Sequence, residues 1–148
     1  MSDAQLRLAE FLPYQLSITS NAVSDLIARS YRARFGLKIP EWRVMAVLGE
    51  NPSMTQRELV AATAMDKVMV NRASKALVDR GLIGRAPNEA DGRSHHLGLT
   101  SAGRALYEEI VPQAVAIEAE LESSLSKDDA QQLSEILEKL HAMAENMK

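Results

Sequence analysis

The strongest constraint on the fold comes from helix caps that follow one another closely in the middle of the chain. Thr55-Gln56-Arg57-Glu58 has the pattern of a capping box, in which the threonine hydroxyl accepts from the amide three residues later and Glu58 reaches back. Asp66 is the next candidate N-cap, and its helix would end at Arg80, just before Gly81. Two short helices, over 55–63 and 66–80, joined by a short turn predict a helix-turn-helix.

A β-hairpin is predicted directly after this pair of helices. Two short strand candidates, 82–86 and 95–99, flank a polar segment that is rich in turn-forming residues and contains the pair Asp91-Gly92. A helix-turn-helix followed by a hairpin is the arrangement of a winged helix.

Helical patterns precede and follow the helix-turn-helix and its hairpin. Before them, Pro13 suits the first turn of a helix, Gly36 is a candidate for its end, and Pro40 opens a short helix from Glu41 to Gly49. The apolar residues of the first of these helices share one stripe: Leu12, Leu16, Val23, Ile27 and Tyr31.

After the lobe, a long helix begins at Thr100, and Pro112 should kink it or end it early. Ser126-Lys127-Asp128-Asp129 has the pattern of a second capping box, so a final helix begins at Ser126. Its apolar residues recur at helical spacing: Leu133, Ile136, Leu137, Leu140, Met143 and Met147. We predict a mainly α chain with a small β-wing, in one domain of 148 residues. The winged helix-turn-helix lobe spans 36–100, with further helices in 1–35 and 101–148.

Composition and motifs exclude several kinds of chemistry. The chain has no cysteine, so disulfides, cysteine-ligated metals and thiol redox sensing are excluded within one chain. His95 and His96 would point to opposite faces of a strand and cannot share a metal ion. No nucleophile elbow, phosphate-binding loop or zinc-hydrolase motif is present. We therefore expect no enzyme, no cofactor and no metal site.

The location of the chain is predicted from its apolar runs and its first residues. No run approaches the roughly 18 apolar residues of a membrane span. Asp3, Arg7 and Glu10 stand where a secretory signal would carry a basic and then an apolar region. We expect a cytoplasmic protein without membrane contact.

Charge is distributed unevenly along the chain, whose net charge is −3. Residues 66–104 carry seven Lys and Arg against four Asp and Glu, whereas residues 105–148 carry three against ten. A basic middle is what local binding to an anion requires, although a solvated acidic tail beside scattered basic residues would give the same counts.

The second helix of the helix-turn-helix has two chemically different faces. Val70, Ala73 and Leu77 share the apolar face, and the opposite face carries Val68, Asn71, Arg72, Lys75 and Asp79. The guanidinium of Arg72 suits guanine, the ammonium of Lys75 suits phosphate, the amide of Asn71 suits adenine, and Val68 suits the thymine methyl. Lys67 would lie near phosphates. An ordinary amphipathic helix would look similar, but the second helix of this motif is the one that enters the major groove of DNA.

The hairpin tip adds a second group of candidate DNA contacts. Arg93 would enter the minor groove, where narrow A·T tracts concentrate negative potential. Asp91, two residues earlier, could orient it, and Ser94 completes the predicted DNA-binding set.

These residues carry a resemblance to a known family. The segment from Asp91 to Thr100, followed by Gly103, resembles the wing signature D-x-R-x-x-x-x-x-L-T-x-x-G of the MarR family of bacterial transcription regulators. Three further segments, 41–45, 55–59 and 77–85, are similar to the family as well. The resemblance implies a homodimer built from the N- and C-terminal helices, in which two winged lobes read a pseudo-palindromic operator in double-stranded DNA. Without cysteine, the chain falls outside the family's thiol-based peroxide sensors.

The resemblance also implies a ligand site where the first helix, the helix opened by Pro40 and the long helix after Thr100 meet. Tyr14, Asn21, Trp42 and Arg43 are the residues offered there. Two aromatic rings and a guanidinium would suit an aromatic carboxylate or its CoA thioester. We expect a repressor that such an effector releases from DNA. The alternatives are an activator, a regulator that senses no ligand, or a winged-helix protein-interaction module that does not bind DNA.

Overall fold

The computed structural model describes residues 4–87 and 95–148 and is mainly helical with one small sheet. A 3-10 turn at Leu8–Glu10 precedes ten elements. In chain order they are α1 (Leu12–Ala28), α2 (Arg32–Phe35), α3 (Ile39–Glu50), β1 (Met54–Thr55), α4 (Gln56–Thr63), α5 (Lys67–Asp79), β2 (Ile83–Pro87), β3 (His95–Leu99), α6 (Ser101–Glu122) and α7 (Lys127–Asn146). They cluster into two compact units, Met1–Gln113 and Ala114–Lys148. The predicted fold class is confirmed.

The predicted N-caps form as expected. The Thr55 hydroxyl accepts from the Glu58 amide at 3.2 Å, the Asp66 carboxylate from the Met69 amide at 2.8 Å, and the Ser126 hydroxyl from the Asp129 amide at 3.0 Å. In the first cap, the Glu58 side chain reaches back to accept from the Thr55 hydroxyl at 3.1 Å. Each cap satisfies an amide that has no partner inside its own helix, which fixes where α4, α5 and α7 begin.

Two helix boundaries differ from the sequence-based expectation. The apolar stripe that was predicted to run to Tyr31 in one helix is interrupted, because α1 ends at Ala28 and a turn precedes the short α2. Gly36 then ends α2 in the left-handed conformation, at φ 64°, as predicted. Pro112 does not end its helix early, since α6 continues to Glu122. A proline removes one main-chain hydrogen bond from a helix, and α6 is helical on both sides of Pro112.

The sheet contains one strand that the sequence pattern did not predict. Its order is β1-β3-β2, and both neighbouring pairs are antiparallel. The hairpin strands are confirmed, with Ile83 opposite Leu99 and Pro87 opposite His95. The two-residue β1 pairs Met54 with Leu97 and Thr55 with His96, which places the start of α4 against the wing. The hairpin tip with Asp91, Arg93 and Ser94 lies outside the described residues.

The core of the first unit is built mainly by α3, α4, α5 and the sheet. Its buried side chains include Val44, Met45, Leu48, Leu59, Val70, Leu77, Ile83 and Leu97. Leu77 also accepts a main-chain hydrogen bond from the Leu82 amide at 2.9 Å, so the end of α5 continues directly into the base of the wing.

Thr100 joins α5, the wing and α6. Its hydroxyl donates to the Gly81 carbonyl at 2.6 Å and accepts from the Gly103 amide at 3.1 Å. Its own amide donates to the Leu82 carbonyl at 3.1 Å. A Cβ at Gly103 would overlap that same Leu82 carbonyl oxygen, so α6 can approach the wing this closely only with glycine there. The L-T-x-x-G part of the wing signature therefore has a structural reason.

Replacing Gly103 by alanine should lower the free energy of unfolding by about 1–3 kcal/mol, because an added methyl forces backbone atoms apart in a packed region. Gly84→Ala is the matched control, since its Cβ would meet only the Thr100 methyl at 3.7 Å, an ordinary contact. Urea unfolding of both variants at equal protein concentration measures the difference. Equal stability of the two variants would contradict this account of Gly103.

Candidate nucleic-acid interface

Helix α5 divides into a buried and an exposed face as its sequence predicts. Val70, Ala73, Ser74 and Leu77 are buried in the core. Every candidate contact on the opposite face is exposed to solvent: Lys67, Val68, Asn71, Arg72 and Lys75. Val68 is 63% exposed although it is apolar, so its side chain gains nothing from the core of this chain.

Both ends of α5 are fixed by side-chain hydrogen bonds. Asp66 caps the first turn. At the other end the Arg80 guanidinium donates to the Phe35 carbonyl at 2.7 Å and, more weakly, to the Gly36 carbonyl at 3.5 Å. Arg80 thereby ties the end of α5 to the end of α2, whose last carbonyls carry partial negative charge. Sequence reasoning placed Arg80 only as the last residue of its helix and missed this contact.

A side-chain hydrogen bond links the two helices of the helix-turn-helix. The Gln56 amide donates from Nε2 to Oδ1 of Asn71 at 2.6 Å. Gln56 is the first residue of α4 and half-buried, whereas Asn71 stands on the exposed face of α5. Sequence reasoning missed Gln56, because its position inside a capping box carries no signal for a contact with another helix.

Of the residues predicted to hold an effector, Trp42 lies in an aromatic cluster. Its ring stacks between Tyr31 and Tyr107, with centroid distances of 5.5 and 5.9 Å. The Arg104 guanidinium lies 5.5 Å from the centre of the Tyr107 ring and also donates to the Gly49 carbonyl at 3.2 Å. Sequence reasoning missed Tyr107 as a partner, although Tyr31 was placed on the apolar stripe.

Arg43 is exposed beside this cluster. Burial raises the pKa of the Tyr31 hydroxyl above its ordinary value, and the positive charges of Arg32 and Arg43 act in the opposite direction. Arg43 therefore lies within electrostatic reach of the buried ring that stacks on Trp42.

Tyr14 and Asn21 lie on α1, in a stretch where every residue from Leu12 to Val23 is exposed. With a rise of about 1.5 Å per residue, they stand roughly 21 and 10 Å along the helix from Ala28, where α1 enters the core. None of the hydrogen bonds or ring contacts of the described residues joins either of them to Trp42 or Arg43. One chain therefore brings Trp42 and Arg43 together and leaves Tyr14 and Asn21 apart from them.

Two cavities lie elsewhere among the described residues. One, of about 310 Å³, lies at the base of the wing and is lined by Pro52, Gly84, His96 and Gly98 among others. The other, of about 240 Å³, lies between the start of α3 and α5. Neither is lined by the four residues predicted to bind an effector.

Within residues 4–87 and 95–148, no three His, Asp or Glu side chains are grouped closely enough to hold a metal ion. The helices in the same part of the chain are all too short or too polar to cross a membrane.

The helix-turn-helix, the three-stranded wing and the exposed face of α5 define a winged helix-turn-helix protein. The model of the MarR family matches residues 35–94. The crystal structure of a MarR family transcriptional regulator from Silicibacter pomeroyi is 31% identical, covers 95% of this chain and 99% of its own, and has a TM-score of 0.81. The chain belongs to the MarR family of transcriptional regulators and is not an enzyme.

Two further relatives describe the range of the similarity. A helix-turn-helix transcriptional repressor of Mycobacterium tuberculosis is 28% identical over 105 residues, which are 71% of this chain and 76% of the relative. The structure of BpsR from Bordetella bronchiseptica is 23% identical, covers 93% of this chain and 98% of its own, and has a TM-score of 0.83. The DNA binding of that protein is described as regulated by 6-hydroxynicotinic acid. At this identity the match supports the shared fold alone.

Proposed function

We propose that the chain is a repressor that binds double-stranded DNA with α5 in the major groove. The observation that carries this proposal is the exposed face of α5, which combines three cations, an amide and an exposed valine on the second helix of a helix-turn-helix. Arg72 and Asn71 would contact base edges, Val68 a thymine methyl, and Lys67 and Lys75 phosphates. Asp91, Arg93 and Ser94 join this proposal from the sequence signature, with Arg93 in the minor groove.

The name of the Mycobacterium tuberculosis relative supports repression as the direction of regulation. The basic segment 66–104 supports DNA as the partner, because counterion release from phosphates supplies most of the affinity of such complexes.

Lys75→Ala should weaken binding to the DNA upstream of the protein's own gene. It should also reduce the slope of log K against log salt by about 0.9 for each copy of the chain that binds, because each copy loses one phosphate contact. Lys127→Ala, which removes the same charge from the start of α7, is the matched control and should change neither quantity. Fluorescence anisotropy over a range of salt concentrations measures both. If the wild-type chain binds no duplex, the DNA-binding proposal is wrong and a protein-interaction module is the remaining class.

We propose further that two copies form a homodimer and read a pseudo-palindromic site. Helix α7 buries none of its residues, and apolar side chains on one stripe are exposed: Leu133, Ile136, Leu137, Met143 and Met147. On α1, Leu12, Leu16, Ile18 and Val23 are exposed as well. Apolar surface of this extent marks an interaction site, and a second copy of the chain is the occupant that the family resemblance implies. Two recognition helices would then lie about 34–36 Å apart, one turn of DNA.

Leu137→Glu should convert the dimer to monomers and lower DNA affinity, because it places a charge at the centre of the apolar stripe. Ala142→Glu adds the same charge on the opposite, exposed side of α7 and should leave the dimer intact. Light scattering with anisotropy on the same samples separates the two variants. A Leu137→Glu protein that remains dimeric would rule out this face as the interface.

We propose that an aromatic carboxylate, or its CoA thioester, releases the repressor. Support comes from the partly buried Trp42, from the exposed Arg43 beside it, and from the ring acid that regulates the Bordetella protein. Arg43 would pair with the carboxylate and Trp42 would contact the ring. Tyr14 and Asn21 would complete the site when a second copy brings its α1 close.

Benzoates, hydroxynicotinates and their CoA thioesters should quench the fluorescence of Trp42, the one tryptophan, and weaken DNA binding roughly 5–150-fold. Arg43→Gln should abolish the response, whereas Arg29→Gln, which changes an exposed arginine directly after α1, should retain it. If no compound both quenches Trp42 and releases DNA, the effector hypothesis is wrong while DNA binding stands.

A further inference from the structure

The hydrogen bond between Gln56 and Asn71 joins two amide side chains at the surface of the helix-turn-helix. Its length of 2.6 Å indicates a close contact, and its partners are 15 residues apart, on α4 and α5. The fold holds the backbone of both residues in place. Gln56 directly follows Thr55, which pairs with His96 in the sheet and caps α4. Asn71 lies one turn into α5, whose opposite face is buried.

The bond determines what this pair presents to solvent. Each amide carries one acceptor oxygen and one NH₂ donor group. When one amide donates to the other, the oxygen of the first residue and the NH₂ group of the second take no part in that bond and stay available to a further partner. In the observed orientation these are Oε1 of Gln56 and Nδ2 of Asn71. The opposite orientation of both amides would again leave one donor and one acceptor, so the chemistry of the pair does not depend on it.

In the major groove, one base offers both an acceptor for the free donor of this pair and a donor for its free acceptor. Adenine offers the N7 acceptor beside the N6 donor, whereas guanine offers two acceptors, cytosine a donor, and thymine an acceptor and a methyl group. We propose that Gln56 and Asn71 form a composite reading unit for one adenine in each half-site, which makes Gln56 a specificity-determining residue on the first helix of the motif. This inference rests on the proposed DNA binding through α5.

The composite unit differs from the sequence-based expectation for Asn71. That expectation has Asn71 alone form both hydrogen bonds with adenine, which requires its oxygen and its NH₂ group in one plane facing the base. Gln56 already occupies one of the two lone pairs of Oδ1, so the base and Gln56 would have to share that oxygen. Removing the Gln56 side chain distinguishes the two expectations. Base discrimination is lost if the pair reads adenine together, and it is kept if Asn71 reads adenine alone.

The test compares wild type with Gln56→Ala, Asn71→Ala and the double variant, each in the full chain. Selection from a duplex library with a randomised window first defines the sequence that each protein prefers. Anisotropy then measures binding to the wild-type site and to duplexes in which the candidate adenine pair is replaced by each of the other three. Gln131→Ala is the matched control, because Gln131 is an exposed glutamine that donates to Glu135 of the same helix, α7.

We expect wild type and Gln131→Ala to discriminate against the replaced pairs by roughly 5–150-fold. Gln56→Ala and Asn71→Ala should each lose most of this discrimination, and the double variant should lose no more than either, because the two side chains act as one unit. A merely structural role of Gln56 would lower affinity for all duplexes equally and leave the base preference unchanged.

Two outcomes would overturn the composite unit. If Gln56→Ala keeps the wild-type preference while Asn71→Ala loses it, Asn71 reads the base alone. If the site that wild type selects contains no adenine whose preference is lost in Asn71→Ala, the pair reads no base. In both cases the proposed DNA binding survives, whereas a wild-type chain that selects no duplex removes both proposals.

Discussion

The packing of one face of α5 into the core is the interaction on which the rest of the candidate interface depends. Val70 and Leu77 are fully buried and Ala73 is nearly so. Burial of a valine or leucine side chain stabilises a fold by about 1.5–3 kcal/mol, and turning the helix by one residue, roughly 100°, would expose these side chains. The rotation of α5 is therefore set from inside the protein, and the outward direction of Asn71, Arg72 and Lys75 needs no contact with DNA to establish it.

The wing is attached to the same helix by main-chain hydrogen bonds and by the hydroxyl of Thr100. The Leu82 amide donates to the Leu77 carbonyl, and Thr100 contacts Gly81, Leu82 and Gly103 in succession. A chain that turns out of α5 through these bonds enters β2 with a fixed direction. The base of the hairpin and α5 consequently form one unit.

The features that could be predicted from the sequence are those that depend on residues close together in the chain. The caps at Thr55, Asp66 and Ser126 each act over three residues, and the two faces of α5 follow from helical periodicity, so a single segment contained the needed information. The contacts that were missed join distant segments. Gln56 and Asn71 are 15 residues apart, and Arg80 and Phe35 are 45 apart. Such pairs depend on how helices pack, which no local pattern encodes. Of the residues predicted to bind an effector, Trp42 and Arg43 are neighbours in sequence, whereas Tyr14 and Asn21 lie on the exposed part of α1.

The net charge of the chain is negative, which is compatible with binding to DNA because a phosphate interacts mainly with the charges that lie close to it. At physiological salt the Debye length is about 8 Å, so exposed charges farther away are largely screened. Lys67, Arg72 and Lys75 are exposed on α5, and Asp79 is the acid on that face. Asp66, at the start of the helix, is engaged by the Met69 amide, and its charge faces the positive end of the helix dipole. The carboxylate that starts the helix is thus compensated by the helix itself, and the cations that follow it determine the sign of the face.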